Sequence, residues 1–222
     1  MMKKLFAFLL AMVAFSCFFI DVACAEIIKY RGNRFYLEEM VARCSTEFDI
    51  TQHSRNKNIK RASELINGKI IMPNEEISFN ELVGPRTKGR GFVVAGSFAN
   101  GKKVTSIGGG ICQVSSTWSG ATINLGLKIL ERHKHSLPVT YIGKDKEATV
   151  SWGYKDFRFK NNTKNIFAVK VFIIRNVLHV QYWKCRRIWG LSKVDPRDKY
   201  RGVFIKNHLT FLKKSSIILA FK

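Results

Sequence analysis

The spacing of apolar residues changes character several times along the chain. From Glu26 to Asp49 apolar and polar positions mix without a clean period, and residues 26–54 are expected to form only a short N-terminal segment. Between Asn58 and Ile66 the period becomes helical. Ile59, Ala62, Leu65 and Ile66 share one face, and Asn67-Gly68 supplies a stop. Ile70–Met72 running into Pro73-Asn74 predicts a strand entering a turn. Gly84-Pro85-Arg86-Thr87-Lys88-Gly89-Arg90-Gly91 then forms a basic, glycine-rich loop.

The strongest periodic signal follows Gly108-Gly109-Gly110. Ile111, Val114, Trp118, Ala121 and Leu125 recur at three- and four-residue intervals and stop at Gly126, which predicts a helix entered from a glycine loop and closed by a glycine cap. Leu127 and Ile129 alternate with polar neighbours toward Glu131, as in a half-buried strand that Pro138 ends. Ala148–Trp152, Phe157–Phe159, Phe167–Ile173 and Val177–Trp183 favour strand, the last two flanking a turn at Ile174-Arg175-Asn176. The predicted class is α+β, with short helices around a glycine loop followed by an antiparallel sheet. Beyond Trp183 the pattern dissolves into a lysine- and arginine-rich extension, 184–222.

The first residues are of a different kind. Lys3 and Lys4 precede an apolar run from Leu5 to Ile20, and Ala23-Cys24-Ala25 has the small-residue pattern that a signal peptidase cuts, so 1–25 is expected to be a secretory signal and Glu26 the first mature residue. The run is shorter than the roughly 20 residues of a spanning helix.

Charge narrows the class of partner. The 222 residues carry 38 Lys and Arg against 16 Asp and Glu, a net charge of +22; loss of Lys3, Lys4 and Asp21 lowers it by one. A surplus of this size calls for a polyanionic neighbour. Export replaces nucleic acid with anionic wall polymers, peptidoglycan carboxylates or the acidic headgroups of a membrane surface. Three cysteines, Cys44, Cys112 and Cys185, remain after the signal. The odd number leaves at least one free thiol, and no Cys-x-x-Cys spacing supports a redox or zinc-ribbon site. No cofactor or metal is expected.

Several segments together resemble the VanW family. They are Arg55-Asn56-Lys57-Asn58-Ile59, Ile77-Ser78-Phe79-Asn80 with Val83-Gly84-Pro85-Arg86-Thr87, Gly108 through Thr117 (GGGICQVSST), Glu131 through Val139 (ERHKHSLPV), and Ala148-Thr149-Val150 followed by Asp156, Phe159 and Asn161-Asn162-Thr163. The resemblance runs from Arg55 to Trp183 in the family's order. It implies an envelope location and a link to peptidoglycan, without a reaction. The sequence departs from the family pattern at Trp118, where leucine is usual, and at Glu147, where aspartate is usual. The departure argues against carrying a site role over to Glu147.

Candidate chemistry centres on Cys112. A thiol at a helix start, behind three glycines, feels the positive end of the helix dipole, which lowers its pKa. His133 and His135 are expected on one strand face, with His135 as base and Asp156 or Glu131 orienting it, while backbone N–H groups around Gln113 form an oxyanion site. Ser115 and Ser116 could contact substrate from the first helical turns, and Arg86, Arg90 and Arg132 could fork onto stem-peptide carboxylates. Two functions of different class follow: the favoured one is an accessory or binding module for peptidoglycan or its precursors, which the resemblance links to glycopeptide resistance, and the alternative is a cysteine-nucleophile transpeptidase or amidase acting on wall peptides.

Overall fold

The computed structural model describes residues 26–99 and 102–188. The expected signal segment and all but the first residues of the basic extension lie outside the described residues.

The segment that showed no clean period forms a hairpin. Strand β1 (Ile27–Tyr30) turns through Arg31 and Gly32, both at positive φ (47° and 76°), into the long strand β2 (Asn33–Glu47). A two-residue loop with both centres at positive φ matches the right-handed twist of the paired strands. Residues 26–47 therefore join the main sheet, whose order is β1-β2-β10-β9-β3. Its other members are β3 (Ile70–Ile71), β9 (Ile166–Ile174) and β10 (Val177–Ile188), with β9 and β10 joined through Arg175-Asn176 and paired antiparallel. A second sheet has the order β4-β8-β7, from Glu76–Ser78, Arg158–Lys160 and Lys128–Glu131. A two-stranded ribbon pairs β5 (Val94–Ala99) with β6 (Lys102–Ile107).

Among the described residues three α-helices accompany these strands. Helix α1 (His53–Ile66) begins five residues before its apolar stripe and ends at Asn67. Helix α2 (Phe79–Val83) is capped by the Ser78 hydroxyl, which accepts from the Glu81 N–H. Helix α3 (Ile111–Leu125) matches its predicted bounds, entering at Gly110 and closing at Gly126 in the left-handed region.

Helix α3 is the centre of the molecule. Trp118 is fully buried against Phe79, Phe157 and Phe159, at ring-centroid distances of 6.3, 6.2 and 5.4 Å. Its indole N–H donates to the Tyr182 hydroxyl over 2.7 Å, and that oxygen also meets the Thr122 hydroxyl at 2.8 Å. The bulky residue at 118 is thus accommodated by aromatic edges and by a partner for its one polar atom. Where α3 crosses β2, Gly120 leaves no side chain between them. A Cβ there would stand 2.6 Å from the Cys44 sulfur.

One predicted strand is absent. Residues 148–150 belong to no strand; the Thr149 N–H donates to the His133 carbonyl at 2.8 Å, and Ser151 makes only an isolated bridge to Lys155. Side chains hold this segment instead of a ladder. The Ser115 hydroxyl donates to the Ala148 carbonyl at 2.5 Å, and the Ser116 oxygen accepts from the Ala148 N–H at 2.9 Å.

Candidate functional site

The glycine loop is built for close approach. A Cβ on Gly108 would lie 2.8 Å from the Arg86 side chain, one on Gly109 would collide with the Gly96 carbonyl, and one on Gly110 would lie 2.6 Å from the Arg55 side chain. Gly108 and Gly110 also have φ of 90° and 102°. Asn58 of α1, fully buried, locks the loop in place. Its amide donates to the Gly109 and Val93 carbonyls, 2.9 Å each, and its oxygen accepts from the Val93 N–H at 2.8 Å. The family motifs around Asn58, Arg86 and Gly108 are therefore one assembly, with the start of α3 held between two arginines.

Cys112 lies in the first turn of α3, half-buried, and its thiol donates to the Val150 carbonyl at 3.5 Å. Burial pushes this thiol above its ordinary value, while the Val150 contact and the charges of Arg86, Arg55 and Lys155 act against that rise. A lowered pKa was expected from the helix dipole; burial raises it instead. Burial raises Cys44 as well and pushes Cys185 up to about 12.

The two arginines are themselves unusual. Arg55 donates to the Gln113 side-chain oxygen at 2.7 Å; Arg86 donates to the Gly84 carbonyl at 3.0 Å and to the Asn80 oxygen at 2.6 Å. Each is half-buried, each guanidinium is pulled below its usual range by burial, and each feels the Cys112 sulfur. Among the described residues neither has a carboxylate ion-pair partner. Asp49 and Asp156 act on them only from farther away.

The histidines part company. Strand β7 ends at Glu131, so His133 and His135 occupy a loop and share no strand face. His133 pairs with Glu131 at 2.9 Å near the surface. His135 is buried. Its Nδ1 lies 3.0 Å from Glu147, whose same oxygen accepts the His135 backbone N–H at 2.9 Å, and its Nε2 makes a long contact of 3.4 Å with the Tyr141 hydroxyl. The acid beside His135 is Glu147, in place of the expected Asp156 or Glu131. Asp156 instead accepts from the Ser78 hydroxyl and from the Asn80 and Phe157 N–H groups, which steadies the residue that holds Arg86. No hydrogen bond joins Cys112 to His135, because both ring nitrogens are taken.

Tyr141 bridges the gap. Its phenol feels the charges of Cys112 and Arg55 as well as contacting His135, and burial pushes its pKa far above the ordinary value, so it remains a proton donor. A cavity of about 240 Å³ opens beside His135 and Glu147, with Lys134 and Lys144 in its lining.

Other candidate residues have structural tasks. Ser115 and Ser116 are fully buried and spent on Ala148. The Gln113 amide donates to the Thr46 hydroxyl and the Glu47 carbonyl, and its backbone N–H is taken by Gly110. Arg132 donates to the Asp145 and Glu147 carbonyls at 2.7 and 3.0 Å, shaping the loop that carries Glu147. Arg90 donates to the Val83 carbonyl. Arg55, Asn58, Tyr141 and Glu147 were missed as site residues. Arg55 and Asn58 lay within a quoted motif, whereas Tyr141 carried no local signal. Among the described residues no three His, Cys, Asp or Glu side chains are grouped as metal ligands.

A family model described as "VanW like protein" matches residues 54–183. Over 116 residues the chain is 42% identical to the protein YoaR of Bacillus subtilis (strain 168), covering 52% of this chain and 38% of that one. Over 133 residues it is 32% identical to the vancomycin B-type resistance protein VanW of Enterococcus faecalis (strain ATCC 700802 / V583), covering 57% of this chain and 48% of that one. The chain thus spans less than half the length of these two relatives. No solved structure matches it.

Proposed function

The chain belongs to the VanW-like family, and from that premise we propose that it is an exported envelope protein whose Cys112 is the nucleophile of acyl transfer on peptidoglycan peptides. The observation that carries this reading is the pair of desolvated arginines, Arg55 and Arg86, facing one thiol without a carboxylate partner. Burying charge without a counter-charge costs several kcal/mol per ion, on the order given by desolvation. A fold keeps such groups where a ligand or an intermediate supplies the missing anion. Here that anion is a carboxylate of the wall peptide, the developing thiolate, or both in turn.

The reaction follows from the groups present. The Cys112 sulfur attacks a peptide carbonyl carbon, forming a C–S bond. The C–N bond breaks, and the departing amine takes up the proton that left the thiol. An acceptor amine or water then attacks the thioester, the C–S bond breaks, and sulfur regains a proton as the thiol. Tyr141, held protonated and tied to the His135–Glu147 pair, is suited to donate to the carbonyl oxygen or to pass a proton. Similarity to a protein named for vancomycin resistance supports a substrate in the wall.

Intact-mass measurement after incubation with wall-derived stem peptides tests this. A hydroxylamine-sensitive acyl adduct that is lost in Cys112→Ala is expected; a Cys112 that forms no adduct and alkylates only in denaturant overturns it. The net charge of +22 favours a second reading, a basic accessory module that binds wall polymers without chemistry. That reading predicts wall retention that falls steeply with salt and is indifferent to Cys112→Ala.

A further inference from the structure

Two aromatic rings stand out of the surface on one five-residue turn, Ser151–Lys155. Trp152 is 48% exposed and Tyr154 88%. The turn is rigid. Ser151 and Lys155 exchange backbone bonds of 2.8 and 3.0 Å, Gly153 supplies the φ of 80° the chain needs between the rings, and the Asn80 amide clamps the Lys155 carbonyl at 2.9 Å. Arg86, anchored on the same Asn80, lies over the Trp152 ring at 5.9 Å from its centroid. At the foot of the turn, Val150 accepts the Cys112 thiol, and Lys155 adds charge at that sulfur. The Trp152 ring is thus held beside the candidate nucleophile by the same arginine that faces it, with Tyr154 on the same turn.

We infer that this turn is a glycan subsite, in which a pyranose ring of the wall glycan strand stacks on the free faces of Trp152 and Tyr154 while the attached peptide reaches Cys112. The inference rests on the wall-peptide reading above and adds the sugar to it. Two isolated rings among Arg86, Asn80 and Lys155 offer far less than the roughly 1,000 Å² that a specific protein interface needs. They match a ligand of alternating character: a pyranose has an apolar C–H face for an aromatic ring and a rim of hydroxyls for polar neighbours. A ring already fixed by Arg86 loses little freedom on binding.

The test uses the full chain and soluble β-1,4-linked N-acetylhexosamine oligosaccharides, followed by calorimetry. Saturable binding is expected. Trp152→Ala and Tyr154→Ala should each weaken it by roughly ten-fold, and Trp152→Phe should retain most of it. Tyr154 is so exposed that its removal leaves folding intact, and the alkylation rate of Cys112 should not change in that variant. Failure of the unmodified chain to bind the oligosaccharide, or undiminished binding by both alanine variants, overturns the subsite. Oligosaccharide binding through the turn without any acyl adduct at Cys112 would leave the subsite standing and remove the acyl-transfer reading, whereas an adduct without oligosaccharide binding would do the reverse.

Discussion

The two halves of helix α3 treat buried polar groups in opposite ways. Around Trp118 and Thr122 the polar groups meet neutral partners: the indole N–H and the Thr122 hydroxyl both meet the Tyr182 oxygen, three aromatic edges fill the rest, and the buried Ser119 hydroxyl is the exception. At the first turn, two guanidinium groups and a thiol share a poorly solvated space with no carboxylate among them. The first arrangement joins neutral groups and aromatic edges, as most of a core does. The second gathers positive charge beside a thiol. A single helix therefore divides into a part that packs the core and a part whose surroundings favour an anion.

The contrast breaks most directly at Trp118. Trp118→Ala should cost about 3–5 kcal/mol of stability, since it opens a large cavity and removes the indole N–H that donates to the Tyr182 hydroxyl. Denaturant titration at constant m-value checks it, and a loss under 1 kcal/mol would mean that the aromatic cluster is not the structural centre. Gly109→Ala comes next. Its Cβ would collide with the backbone of β5, and overpacking of this kind costs roughly 1–3 kcal/mol. Because the displaced piece is the entry to α3, Cys112 alkylation should change together with stability, as Trp118→Ala assayed below its melting temperature should not.

Smaller effects sharpen the electrostatic side. The Cys112 thiol is raised, so alkylation should climb as pH passes above the range of a free thiol. Arg55→Met removes one of the opposing positive charges, which raises the thiol further and slows alkylation by roughly two- to ten-fold at a fixed alkaline pH. An unchanged rate would show that the arginines do not act on the sulfur. Cys185, pushed up to about 12, should stay silent throughout.

The smallest effect is on acid stability. Burial would raise the Glu147 carboxyl, but hydrogen bonds from the His135 N–H and ring, with the charges of His135 and Lys144, bring it net below its ordinary value. A depressed carboxyl contributes stability that is fully present above its unfolded value and is lost as pH falls through the folded one. Glu147→Gln should therefore lower stability at neutral pH and flatten the acid limb of a stability profile. An acid limb identical to that of the unmodified protein would remove Glu147 from the pair.

Helix α3 was legible because its stripe, its glycine entry and its glycine exit agree. Strand β2 was not. Along its 15 residues only Phe35, Leu37 and Thr46 are buried, so no alternation could form. Its identity depends on β1 and β10 at its sides and on α3 across it. The extended segment 148–150 misled in the opposite sense. Its β-rich composition reflects burial under α3, and the serines of that helix satisfy the Ala148 backbone while the His133 carbonyl takes the Thr149 N–H. The pairing of His135 with Glu147 joins residues twelve positions apart and follows no period.

By itself the sequence determined the α+β class, the helix that carries Cys112, the family motifs and the large positive charge, because each is written in local spacing or in a count. Only the tertiary structure decided which acid meets which histidine, that two arginines act on one thiol without a carboxylate ion-pair partner, and that burial raises that thiol. Ion pairing and desolvation depend on distances between residues far apart in the chain, and no local pattern fixes those distances.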